Sequence, residues 1–127
     1  MRANLETAKK TIQFYHEKLM VYQIAVEFVL LADQIVLHLP RGRGYLSDQL
    51  QRAALSIPLN IAEGAGEYAT DEKIRFYRMA KRSATECAGI LDVSHRLNLI
   101  EESHYPIGRE LLIRIVSMLI IMAQKKR

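Results

Sequence analysis

The chain has 127 residues, half of them hydrophobic and a quarter charged, which fits one folded domain with a single core and excludes both a disordered chain and a two-domain protein. The lone Cys87 excludes an intramolecular disulfide, and no charged and apolar leader opens the chain, so a cytoplasmic protein is expected. A net charge of +4 with a pI near 9.3 suits an anionic partner such as nucleic acid, and equally suits plain solubility.

In chain order, residues 1–17, Asn4 to His16 in particular, are read as a candidate helical arm. A first long helix is expected over about Leu19 to Leu39, ended by Pro40, Gly42 and Gly44 in HLPRGRGY. A second runs from about Leu46, capped by Ser47 or Asp48, to Gly64 and Gly66, either of which can adopt the left-handed geometry of a C-cap. A third starts at Thr70 or Asp71, whose side-chain oxygens suit an N-cap with Glu72 in the first turn, and continues to about Leu99. Pro106 suits the first turn of a fourth helix reaching about Gln124. No stretch alternates as a strand would, and no repeat or low-complexity segment interrupts the pattern. Short connections force neighbouring helices antiparallel, so the expected fold is all-α, an antiparallel up-and-down four-helix bundle in one domain over residues 1–127.

The third helix needs one buried side, with Phe76, Ala80, Ser83, Cys87, Leu91 and Ser94 on its apolar face. The first and fourth, VYQIAVEFVLLADQIVL and LLIRIVSMLIIMA, are apolar around most of their circumference. A membrane is the poorer cover for the excess, because Glu27 and Asp33 interrupt the first helix, and Arg109, Glu110 and Arg114 the fourth, against the roughly 20 apolar residues of a spanning helix. A closed homo-oligomer is the simpler expectation.

The second helix carries a contradiction in Leu55 to Gly66, LSIPLNIAEGAG. Beside the core stripe of Leu46, Leu50, Ala53, Ala54, Ile57 and Ile61 runs a polar one of Gln49, Arg52, Ser56, Asn60 and Glu63. Pro58 lacks the amide hydrogen that the carbonyl of Ala54 would receive, and a polar stripe beside that kink offers a substitute donor. One reading is a structural polar network of Arg52, Ser56, Asn60, Glu63 and, from the third helix, Glu86. Alanine at Asn60 or Glu63 would then cost about 1–3 kcal/mol. The other reading gives Asn60 and Glu63 a ligand, although an isolated Asn and Glu make no catalytic pair.

The string DQLQRAALSIPLNIAEGAG, followed by RFYRMAKRSATE, resembles the four-helix-bundle family whose founding members are encoded in intervening sequences of bacterial large-subunit ribosomal RNA genes. The likeness runs from Lys18 to Gln124 and is sharpest at SIPxNIAEG, Ser56 to Gly64. It rests on Arg52, Ser56, Asn60, Glu63, Gly64, Phe76, Ala80, Ser83 and Glu86. It implies a small, nonenzymatic oligomer, often a pentamer. More distantly the chain is similar to the accessory variability protein of diversity-generating retroelements, which implies a basic pentameric bundle binding reverse transcriptase and nucleic acid. Two positions depart by adding positive charge: Arg82 where relatives carry glycine, and Lys73 where they carry an aromatic.

No cofactor or metal is expected. A di-iron bundle requires two Glu-x-x-His motifs and two further glutamates, and only Glu101-x-x-His104 has that spacing. His16, His38 and His95 are scattered, and Cys87 sits on a core stripe where cysteine acts as a small hydrophobe. GRG and GAG are too short to cradle a phosphate. The cations are more informative. Arg75, Arg78 and Arg82, with Lys81 beside them, form a stripe opposite the third helix's apolar face; Asp71 and Glu86 on that stripe would balance it if it is only a solvated surface. Arg41 with Arg43, and Lys125, Lys126 and Arg127, are candidate extensions of a phosphate-contacting surface, repeated around an oligomer. Two functions follow: a nonenzymatic nucleic-acid-binding oligomer contacting RNA or DNA backbone with little base readout, or a protein-binding scaffold that recruits a factor such as a reverse transcriptase.

Overall fold

The computed structural model describes residues 13–125. The expected N-terminal arm lies, up to residue 12, outside the described residues, as do Lys126 and Arg127. The described chain starts extended and makes one 3-10 turn, Tyr15–Lys18. Four α-helices follow: α1 Met20–Leu37, α2 Gly44–Ala65, α3 Thr70–Arg96 and α4 His104–Met122.

Each helix packs on its neighbours in sequence, and α1 closes the square against α4; the diagonal pairs, α1 with α3 and α2 with α4, keep their Cα atoms more than 8 Å apart. The connections, residues 38–43, 66–69 and 97–103, are short enough to enforce this up-and-down antiparallel bundle. The first connection turns at Pro40, with the Arg43 amide donating to the Pro40 carbonyl at 3.3 Å and Gly42 at φ +91°, a left-handed position that glycine takes without a Cβ clash. The last turns at Asn98, φ +58°. It is braced by the His95 and Tyr105 rings, stacked 3.9 Å apart, and by the Tyr105 hydroxyl donating to Asp92 at 3.3 Å.

The core takes Val21, Ile24, Phe28 and Ile35 from α1, Leu50, Ile57 and Ile61 from α2, Tyr77, Cys87 and Leu91 from α3, and Leu112, Ile115 and Leu119 from α4. Burial drives the Cys87 thiol pKa up to about 12. On α3 the buried face is centred differently from the expected stripe: Ile74, Tyr77 and Ala84 are buried, whereas Phe76 and Ser83 sit at its half-buried edge toward α2. On α1 the core side holds Val21, Ile24, Ala25, Phe28, Ala32 and Ile35, while Met20, Leu30 and Leu37 stand exposed. With 18 residues at a mean hydropathy of 1.7, α1 is long and apolar enough to cross a membrane by length and composition, so Glu27 and Asp33 interrupt it less than the sequence suggests; a third of that span is buried in the bundle.

The helix ends differ from the sequence expectation in their chemistry. No side chain caps α2 or α3 at the N-terminus. Helix α2 begins at Gly44, because Arg43 already accepts the first amides, and this draws Ser47 and Asp48 inside the helix. Ala69 occupies the N-cap of α3, leaving Thr70 and Asp71 within the first turn. At the other end of α2, Gly66 is the C-cap but is right-handed, with φ −84°. Gly64 is helical and buried, and its role is close packing: a Cβ there would lie 2.8 Å from Cε1 of Tyr77.

Candidate nucleic-acid interface and polar network

Helix α3 presents its charged side outward because its buried residues fall on the opposite side of the wheel. Arg75, Arg78, Lys81 and Arg82 line one groove of about 560 Å³, with Asp71 at its end and the exposed Met79 also in its lining. The groove lies between side chains of a single helix, so its shape follows their rotamers. Glu72 Oε2 accepts from Arg75 Nη2 at 2.9 Å, and this hydrogen bond, with the charge behind it, raises the Arg75 pKa above its ordinary value. The same guanidinium lies 4.7 Å from the Phe76 ring centroid. Asp71 pairs with Lys125 at 3.2 Å, and Glu86 is exposed with no ion pair among the described residues. The two acids expected to balance the arginine stripe are therefore not its partners.

Arg41 and Arg43 do not join this surface. Their loop follows α1 and precedes α2, which in an antiparallel bundle is the end where α3 finishes at Arg96. At about 1.5 Å rise per residue that end is roughly 20 Å beyond Arg82. Arg43 instead donates to the Tyr45 hydroxyl at 2.8 Å. Lys125 does join it, because α4 ends where α3 starts.

The polar network is smaller than the expected five residues. Ser56 Oγ meets Ser83 Oγ at 2.8 Å, linking α2 to α3, and Asn60 Nδ2 donates to both Oγ and the carbonyl of Ser56 at 2.9 Å. Arg52, Glu63 and Glu86 are exposed and make no side-chain hydrogen bond among the described residues. They lie farther round their helices, where water solvates them. Asn60 thus reaches the carbonyl of Ser56 and not that of Ala54. Replacing Asn60 by alanine is expected to cost about 0.5–1.5 kcal/mol, while Glu63→Ala should stay within about 0.5 kcal/mol. Urea titration of the two variants checks this; equal losses would return Glu63 to the network.

Lys73 and Ser83 have roles that the sequence alone does not show. Lys73 Nζ donates to the carbonyls of Gly64 and Ala65 at 3.0 and 3.2 Å, closing the end of α2 from across the turn. Lysine near a helix C-terminus was the available signal, but its acceptors belong to the preceding helix. Ser83 was read as core, and its hydroxyl carries the link to α2. For metal chemistry, Glu101 and His104 approach at 3.7 Å, and no three metal-ligating side chains gather among the described residues.

A small antiparallel helical bundle with a cationic outer helix face is the class that fold and surface define. Residues 17–121 match the family model of the 23S rRNA-intervening sequence protein, and the chain belongs to that family. Among solved structures it is similar to a protein of unknown function from the S23 ribosomal protein family of Bacteroides thetaiotaomicron, with a TM-score of 0.76 and 21% identity over 84% of this chain and all of that one, a likeness of fold. No curated protein matches the chain significantly.

Proposed function

We propose that this protein is a nonenzymatic, self-associating bundle, working in the cytoplasm, that binds the phosphate backbone of RNA or DNA through the outer face of α3. The observation that carries the reading is the gathering of Arg75, Arg78, Lys81 and Arg82 on one groove of an element whose opposite side is fully committed to the core. These cations can meet phosphate without disturbing the fold, and a family description tied to 23S rRNA agrees with such a partner. Self-association rests on the adjacent helices α1 and α4, where Leu30, Leu37, Ile107, Ile113 and Ile121 are each more than half exposed. Further copies are a better cover for them than lipid, and five subunits is the number that the resemblance favours.

A salt titration tests the reading. Affinity for single-stranded RNA and duplex DNA should fall with a logarithmic slope of about 0.7 and 0.9 per phosphate contact, with little preference among sequences. Changing Arg75, Arg78 and Arg82 together to glutamine should flatten the slope toward that of one contact, with unchanged helicity and sedimentation. Parent-like binding by the triple variant would discard the groove. The second reading, a scaffold for a protein such as a reverse transcriptase, would then lead; it draws on the apolar groove of about 210 Å³ between α3 and α4, lined by Leu112, Ile113 and Val116. A monomer at micromolar concentration would remove the oligomer from both.

A further inference from the structure

One cation of this groove, Arg75, and one drawn to its edge, Lys125, are already held by carboxylates from the first turn of α3. Asp71, which forms the groove's end, accepts from Lys125 Nζ at 3.2 Å and so ties the start of α3 to the end of α4. One residue on, Glu72 holds Arg75 at 2.9 Å. Arg78, Lys81 and Arg82 make no ion pair among the described residues. A phosphodiester chain laid along the groove therefore meets three open cations and then a carboxylate.

Acids in the first turn need no ligand to explain them, since the helix dipole favours them there. The dipole does not account for where their charge is directed. Glu72 holds a cation that lines the groove, and Asp71, which lines the groove itself, holds one that arrives from beyond the end of α4. Both pairs are well exposed, Asp71 at 79% and Glu72 at 47% of the side chain. Exposed pairs of this kind are weak and exchange readily for another anion.

Resting on the nucleic-acid reading above, we propose that Asp71 and Glu72 are built-in counter-anions that restrain the groove by competing with phosphate for Lys125 and Arg75. While the acids hold these two cations a polyanion contacts the groove without them; once released, they extend the phosphate-contacting surface from Arg82 to Lys125, beyond the end of α4. The two acids set how much of the groove's charge a polyanion can use. They tune affinity without touching the bundle core.

The experiment compares the full chain with Asp71→Asn, Glu72→Gln and the pair, using a labelled oligouridylate and a labelled DNA duplex between 50 and 200 mM salt. Each released cation should steepen the slope by up to about 0.7 for the RNA and 0.9 for the duplex, which is roughly a threefold larger gain in affinity across that salt range; the pair should gain about tenfold. Adding Lys125→Gln to Asp71→Asn should cancel its gain, and Arg75→Gln should cancel that of Glu72→Gln. Circular dichroism should show unchanged helix content throughout. If the paired variant keeps the parent's slope while the triple arginine variant loses binding, the groove binds nucleic acid but its acids do not restrain it, and the inference fails alone. If the Asp71→Asn gain survives Lys125→Gln, competition for Lys125 is refuted. If the triple arginine variant binds as the parent does, the nucleic-acid reading and this inference fall together.

Discussion

Phe28→Ala is expected to lower the unfolding free energy by about 3–5 kcal/mol, the range for removing a buried aromatic ring. Phe28 has no exposed surface, and it sits on α1 where that helix meets α4, next to Gly108. A Cβ on Gly108 would approach Leu91 at 2.8 Å, Leu31 at 3.2 Å and the Phe28 ring at 3.7 Å, so side chains from α1 and α3 converge on that point of α4. Helices held on both sides cannot close over the space left by the ring, so the cavity penalty adds to the lost transfer free energy. Guanidinium denaturation should show the midpoint falling with the slope preserved. A loss below about 1 kcal/mol would mean that the bundle collapses around the gap.

The second large effect belongs to Gly64→Ala, expected to cost about 1–3 kcal/mol through overpacking. The added methyl would meet Tyr77 Cε1 at 2.8 Å and Phe76 Cβ at 3.0 Å. Tyr77 is only 4% exposed, and a rigid ring in a filled core has nowhere to rotate. Relief therefore requires α2 and α3 to move apart, which strains the Ser56–Ser83 bond one region further along. Gly108→Ala is the control. Its nearest contacts are the tips of two leucines, which can adopt other rotamers, so thermal melting should place it well above Gly64→Ala. The reverse order would show that the glycine in α2 is not a point of close helix approach.

Helix positions were legible because hydrophobic spacing, Pro40 and Pro106 mark them strongly. Their ends were less legible, because a capping residue is recognised by type alone while the backbone decides where a helix starts: Ser47, Asp48, Thr70 and Asp71 all have suitable oxygens and all lie inside a helix. Gly64 illustrates the same ambiguity. Glycine serves left-handed caps and close packing equally well, and only the position of the Tyr77 ring distinguishes them. On the candidate site, the arginine stripe follows directly from helical spacing. Its separation from Arg41 and Arg43 and its junction with Lys125 follow from antiparallel topology, which a single-helix wheel does not contain. Lys73 and the Ser56–Ser83 link were invisible for a related reason, since each joins groups on different helices.

The burial of Cys87 makes the protein its own reporter. Thiol reagents consume the thiolate, and a group that has no exposed surface and titrates near pH 12 offers neither access nor thiolate at neutral pH while the bundle is closed. Its labelling then has to wait for α3 to part from its neighbours. With one cysteine in the chain, the rate of a single modification reads the population of the open form when reclosing outpaces the reagent, and slower labelling in the presence of RNA would measure how tightly a bound polyanion holds the native bundle shut.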